Sequence, residues 1–270
     1  MTLILPQIGG LTFEPVDTTF TLIDAAFSTD TFDASSQTTS PVDVAFKTDG
    51  LKMYVIQSGG MFQYTLSTAW DLSTASYDSV TFNQGTAFGH YFKDDGTMFF
   101  KTATGSIVEK HTLSTAWDLS TASAVVASYD ASAQSSSFRP VTFGDSGLKM
   151  YLGDVLGDDK IYQYDLTTAY DISSGVTYFG QSPASYAFTT AGMVFSPSGT
   201  TLLVIEGLLD FIKEYQLSTA WDITSGASSP IRDFDLNPPE ANPRGLYIKP
   251  DGTKAFFTGN STDFVRGIDL

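Results

Sequence analysis

The sequence predicts an all-β protein: a five-bladed β-propeller of four-stranded antiparallel blades, closed by an N-terminal strand that completes the last blade. Three observations carry that expectation. First, a corner motif, Leu66-Ser-Thr-Ala-Trp-Asp-Leu-Ser-Thr-Ala-Ser76, returns unchanged from Leu113 to Ser123 and with small changes from Leu166 and from Leu217. Leu270 stands where a fifth copy would begin. The copies lie roughly 50 residues apart, the period of a propeller blade. Second, a turn motif precedes each corner. Its glycines are Gly50, Gly96, Gly147, Gly199 and Gly252, so the units number five. Third, the last unit ends one strand short, and Phe32-Asp-Ala-Ser-Ser-Gln37 matches Tyr129-Asp-Ala-Ser-Ala-Gln134, the fourth strand and exit loop of another unit.

Each unit reads as a meander of strands a to d. Strand a ends at the apolar residue before the turn, as at Phe46 and Phe92. Asp-Gly or Ser-Gly then reverses the chain, because glycine takes positive φ without a Cβ clash. Strand b follows as a run of consecutive apolar residues, Lys52-Met-Tyr-Val-Ile56 or Thr201-Leu-Leu-Val-Ile205. Such a run suits a strand covered on both faces. Strand c is typified by Ile161-Tyr-Gln-Tyr-Asp-Leu166, and the Ser-Thr-Ala-Trp-Asp corner leads from it into strand d, as at Ser79-Val-Thr-Phe82. Pairing the first and last segments in one blade removes the free edges of an open array.

Composition bounds the function. The chain has 270 residues, 42% hydrophobic and only 16% charged, with a net charge of −16. That acidity repels phosphate backbones and argues against nucleic acid as a partner. Without cysteine there is no disulfide or thiolate site, and two histidines, His90 and His111, make an imidazole-rich metal site or a His-dependent triad a poor expectation. No cofactor is expected. No stretch approaches the ~18 apolar residues of a membrane span, and residues 1–10 have neither the basic flank nor the apolar length of a secretory signal. Residues 1–19 lie outside the repeat and read as an N-terminal arm, a candidate docking segment; residues 20–270 form one propeller domain.

The repeated residues read as scaffold. The corner aromatics Trp70, Trp117, Tyr170 and Trp221 fill the same wedge between neighbouring sheets, and Asp71, Asp118, Asp171 and Asp222 bond the main chain of their own turns. His111 takes the place of Tyr64, Tyr164 and Tyr215 and is expected to pack as an aromatic. His90 replaces apolar residues in strand a and is expected first to pack there, with a place among the channel candidates second. The deviations point to function. Strand a lines the channel, and there the units differ: Asp43, His90, Arg139 and Arg244 are the candidate binding residues near one mouth. The charged members are expected to pair with one another, or else to hold an anionic or sugar-like group. The Asp154, Asp158 and Asp159 loop offers carboxylates for Ca²⁺ but lacks the EF-hand spacing, so a solvated turn is the expectation and no metal is assigned.

The faces differ as well. The a–b and c–d connections repeat almost unchanged, whereas the b–c and d–a connections vary from unit to unit. Variable loops on a rigid frame are where recognition is usually placed. Glycoside hydrolysis needs two carboxylates about 5–10 Å apart, and the five a strands offer only Asp43. No Gly-x-Ser-x-Gly, His-Glu-x-x-His or phosphate-cradling loop occurs.

The pattern Asp-Gly-(Leu/Thr)-Lys-Met-Tyr followed by Tyr-Gln-Tyr-x-Leu-Ser-Thr-Ala-Trp-Asp-Leu-Ser-Thr-Ala-Ser resembles a propeller repeat of marine bacteria and their phages, over residues 40–270. In phages such repeats occur in virion structural and tail- or fibre-associated proteins. The resemblance implies a non-catalytic virion component, made in a host cytoplasm and located on the extracellular particle. Its partners would be other virion proteins or a host-surface glycan or protein, and a homo-oligomer fits the symmetry of virion parts. The alternative is a soluble carbohydrate-binding or glycosidase-like propeller.

Overall fold

The computed structural model describes residues 20–83, 85–184, 186 and 189–270. The arm assigned to residues 1–19 lies outside them. Among the described residues, twenty strands form five four-stranded antiparallel sheets. Blade one holds β2 (Pro41–Phe46), β3 (Lys52–Gln57), β4 (Gly60–Leu66) and β5 (Ala75–Asn83). Blade two holds β6 (Ala87–Phe92), β7 (Met98–Ala103), β8 (Ile107–Thr112) and β9 (Ala127–Asp130). Blade three holds β10 (Phe138–Gly144), β11 (Lys149–Asp154), β12 (Ile161–Leu166) and β13 (Val176–Gln181). Blade four holds β14 (Thr190–Phe195), β15 (Thr201–Glu206), β16 (Phe211–Gln216) and β17 (Arg232–Asp235). Blade five joins β18 (Pro243–Ile248), β19 (Lys254–Gly259) and β20 (Phe264–Asp269) to β1 (Ala26–Asp33) from the other end of the chain.

The apolar core is divided among five clusters, each shared by two neighbouring blades. This explains the consecutive apolar residues of strands b. In β15 all six residues are buried, because each face meets a different blade. The inner strands β2, β6, β10, β14 and β18 form the ring around the axis. Each carries a β-bulge at the same level, near Val42, Phe88, Arg139–Pro140, Ala191 and Gly245–Leu246. A bulge adds twist and re-aims the side chains around it.

The corners hold the ring together. Trp70, Trp117, Tyr170 and Trp221 all have positive φ, between 59° and 66°. Each lies flat on the turn glycine of its own blade, so closely that a Cβ on Gly50, Gly96, Gly147 or Gly199 would fall inside the ring. The main-chain N–H of each aromatic residue also donates to the carbonyl of that glycine, at 3.1, 3.0, 2.9 and 2.9 Å. The rings reach into the adjacent blade: Trp70 stacks with Tyr247 and Phe256, and Trp117 with Tyr54. Tyr54 and Tyr151 return the contact by donating their hydroxyls to the Trp117 and Trp221 carbonyls of the next blade. Asp71, Asp118, Asp171 and Asp222 each accept from the N–H two residues on. The wedge and the Asx turn thus stand as expected from the sequence. The left-handed backbone at the aromatic is new.

Closure goes further than one strand. β1 pairs with β20 from Ala26↔Asp269 to Asp33↔Phe264. Ala34 N–H then donates to Asp263, as Ala131 donates to Ser106. The exit loops match too: Tyr64 donates to Gln37 as Tyr164 does to Gln134. Ahead of the strand, Phe20-Thr21-Leu22 occupies the corner that blade five lacks. Leu22 N–H donates to Glu214 of blade four at 2.9 Å. Leu119 and Ile223, at the same corner position, donate to Gln63 and Gln163 of the preceding blade. Phe20 and Leu22 join the cluster between blades four and five, where a corner aromatic would belong. Glu214 also accepts from the Thr21 hydroxyl and the Arg232 guanidinium. Glu214→Leu should therefore lower stability by about 1.5–3 kcal/mol, the scale of a lost hydrogen bond to a charged group. Chemical denaturation would read this, and an unchanged midpoint would separate Glu214 from closure.

Candidate functional site

The residues singled out on the a strands divide between two levels of the axis. Asp43 and His90 line a cavity of about 420 Å³. It runs from them to a–b turn residues, Thr48, Asp94, Pro197 and Pro250, and so lies on the side of the repetitive face. Phe46, Phe92, Phe143, Phe195 and Tyr247 bring rings to its wall from all five blades, and Phe20 joins them. Arg139 and Arg244 are not part of that wall. They stand at the bulges, toward the variable loops.

The expected pairing of Asp43 with the arginines does not form among the described residues. Asp43 turns to its neighbours instead. One oxygen accepts from the His90 main-chain N–H at 2.8 Å, the other from Val44 N–H at 2.9 Å. The carboxylate thereby ties blade one to blade two. The backbone of Gly245 closes in beside it, where a Cβ would strike Asp43. Burial pushes the Asp43 carboxyl up to about 7, against the two N–H donors that favour the anion. His90 Nδ1 lies 3.8 Å from the same carboxylate. Burial, then the charge of Lys101, pushes His90 down to about 3, so it is a neutral ring at physiological pH.

In the unfolded chain Asp43 titrates near its ordinary value of 3.8. Below that pH both states hold the proton. Between about 4 and 7 the unfolded chain releases it and the folded chain keeps it, so this group's contribution to stability is lost as pH rises. The melting temperature of the wild type relative to Asp43→Asn should decline across that interval. Two parallel curves would remove Asp43 as the cause.

The other candidates have definite places. His111 packs as an aromatic: it stacks on Phe99 at 4.7 Å with an interplanar angle of 6°, and its Nδ1 lies 3.0 Å from the Ser123 carbonyl. Asp154 is buried and accepts from the hydroxyls of Ser135 and Ser137 and from Gly157 and Asp158 N–H. It serves as the organiser of its loop. Those donors hold its carboxyl below the ordinary value despite burial. Asp158 accepts from the Tyr162 hydroxyl and pairs with Lys160. Asp154, Asp158 and Asp159 do not converge as a ligand set, and the described residues contain no group of three or more His, Cys, Asp or Glu placed to share a metal.

At the variable end, Leu156 of the β11–β12 loop is 79% exposed and Leu208 of the β15–β16 loop 66% exposed, so apolar tips stand in solvent beside the acidic loop. The sequence reading missed the bulges and the cavity. The bulges leave a signal only in hindsight, in the Gly89, Pro140, Gly192 and Gly245 that share their level.

No family model matches the chain, and no curated protein matches it. Solved structures do. The β-propeller domain of Cps50 (Swd1) from Myceliophteria thermophila superposes with a TM-score of 0.51 at 9% identity, covering 91% of this chain and 99% of that one. A candidate 6-phosphogluconolactonase from Bacteroides uniformis gives a TM-score of 0.50 at 17% identity, covering 84% of this chain and 65% of its own length. At such identities the likeness shows the fold alone: the protein is similar in architecture to β-propellers, and its own blades number five.

Proposed function

We propose that the protein is a non-catalytic recognition module of a phage particle, a tail, fibre or decoration component that contacts a host surface or another virion protein through its variable loop face. The observation that carries this reading is the difference between the two ends of the ring. One end is built from four near-identical aromatic-on-glycine corners. The other presents individual loops with exposed leucines, an acidic turn and two arginines at the axis. A rigid frame that varies only on one side suits recognition. The likeness of the repeat to phage virion proteins supplies the setting.

Mass spectrometry of purified particles tests it. Peptides of this chain should appear at a stoichiometry matching a structural component, and their absence would end the virion assignment. A hydrolase is the second reading, favoured by one observation: Asp43 and Asp94 line the same cavity. Turnover of a glycoside, lost in Asp43→Asn, would establish it.

A further inference from the structure

Arg139 and Arg244 stand apart from the other cations of this chain. Of its 14 lysines and arginines, ten form ion pairs with carboxylates. Lys110 donates to the Tyr170 carbonyl and Arg266 to the Thr262 hydroxyl. Arg139 and Arg244 have no ion pair with any carboxylate among the described residues, in a chain with 30 acidic side chains. They occupy the same position in blades three and five, at the bulge level of β10 and β18.

Their surroundings order them. The Arg139 guanidinium lies over the Phe88 ring at 5.5 Å, and Phe88 holds the corresponding position in blade two. Blade four, which lies between blades three and five, has the small Ala191 at this position. The backbone is pinned at both: Thr102 Oγ1 donates to the Arg139 carbonyl and Thr258 Oγ1 to the Arg244 carbonyl. Both side chains are half-buried. At this level the inner strands close on one another: a Cβ on Gly89 would strike the Arg139 carbonyl, and one on Gly192 would strike the Gly245–Leu246 backbone, so the channel is narrow where the two arginines stand. Burial lowers the pKa of both guanidiniums, and the Arg139 charge lowers that of Arg244 further. Guanidinium keeps its charge in such a place and offers a planar fork of donors suited to a carboxylate or sulfate.

We infer that Arg139 and Arg244, with Phe88 beneath, form a site at the variable mouth of the channel for one oxyanion of an acidic saccharide, the carboxylate of a uronic acid or an equivalent sugar sulfate. This rests on the recognition reading above and names its ligand class. The net charge of −16 narrows the class. A densely charged polymer is repelled by the protein as a whole, whereas a single anionic sugar in a neutral chain meets the local pair without that cost.

Calorimetric titration of the full chain with methyl β-glucuronide, a monosulfated galactoside, methyl β-glucoside and sodium sulfate tests it. Saturable binding of either anionic sugar is expected, with none for the glucoside and weaker binding for free sulfate. Arg139→Gln and Arg244→Gln should each weaken the anionic sugar at least tenfold and leave the melting temperature near that of the wild type. Arg139→Lys should recover part of the loss, which a folding defect would not. Raising salt from 20 to 200 mM should weaken binding several-fold. No saturable binding of either sugar, or binding unchanged in both glutamine variants, overturns the site. Free sulfate binding as tightly as the sugars overturns the saccharide assignment. These outcomes are separate from the particle test, since a chain absent from virions could still bind the sugar and a virion component could lack this site.

Discussion

A chain lacking residues 20–37 should lose its cooperative unfolding transition. The segment supplies the outer strand of blade five, which pairs with β20 at both of its ends, on either side of a register shift between Phe27 and Thr31. It also supplies the missing corner, with Phe20 and Leu22 buried between blades four and five. Without it β20 becomes an open edge, and the Glu214 carboxylate loses two of its donors while remaining in the interior. Burial of one large apolar side chain stabilises by roughly 1.5–3 kcal/mol. Two such side chains, a strand and a buried charge together approach the whole 5–15 kcal/mol of a typical domain. Thermal melts by circular dichroism and calorimetry should show a broad, probe-dependent decay where the intact chain gives one sharp transition. A sharp melt at the original temperature would show that the ring does not depend on its latch.

The second large effect is expected at the blade-two corner. Trp117 is 6% exposed and stacks on Tyr54 and Phe92. Trp117→Ala should cost about 3–5 kcal/mol, the usual result of emptying a buried aromatic site. Gly96→Ala should cost a comparable amount for a different reason. Gly96 has φ of +69°, and a Cβ there would enter the indole. Left-handed backbone alone costs an alanine about 1–2 kcal/mol, and displacing the indole adds most of the packing loss. The two changes share one contact, so the double variant should be clearly less destabilised than the sum. Strict additivity in urea denaturation would mean that indole and glycine do not depend on each other.

The parts of this fold that were legible in the sequence are those written in repeated words. Blade number, strand order and the closing blade followed from the turn glycines, the corner motif and the match of residues 32–37 to 129–134. The Asx role of Asp71 and its counterparts followed because that bond is local. What remained hidden depends on neighbours far along the chain. Phe20-Thr21-Leu22 shares only its leucine with Trp-Asp-Leu, so its identity as a corner emerges from Glu214, which receives its N–H. Asp43 and the arginines read as partners because they are close in repeat position. The bulges turn them apart: Asp43 is captured by the main chain of the next blade, and the guanidiniums are left toward the loops. The Asp154 loop read as a solvated turn, whereas Asp154 is buried and accepts from the hydroxyls of Ser135 and Ser137 in the preceding connection.

The shared corner of blade five has a consequence for how the molecule can be mounted. Phe20 and Leu270 meet in the same cluster at the repetitive end. A peptide joined directly to Phe20 or to Leu270 would therefore leave the ring at that end, on the side opposite the variable loops.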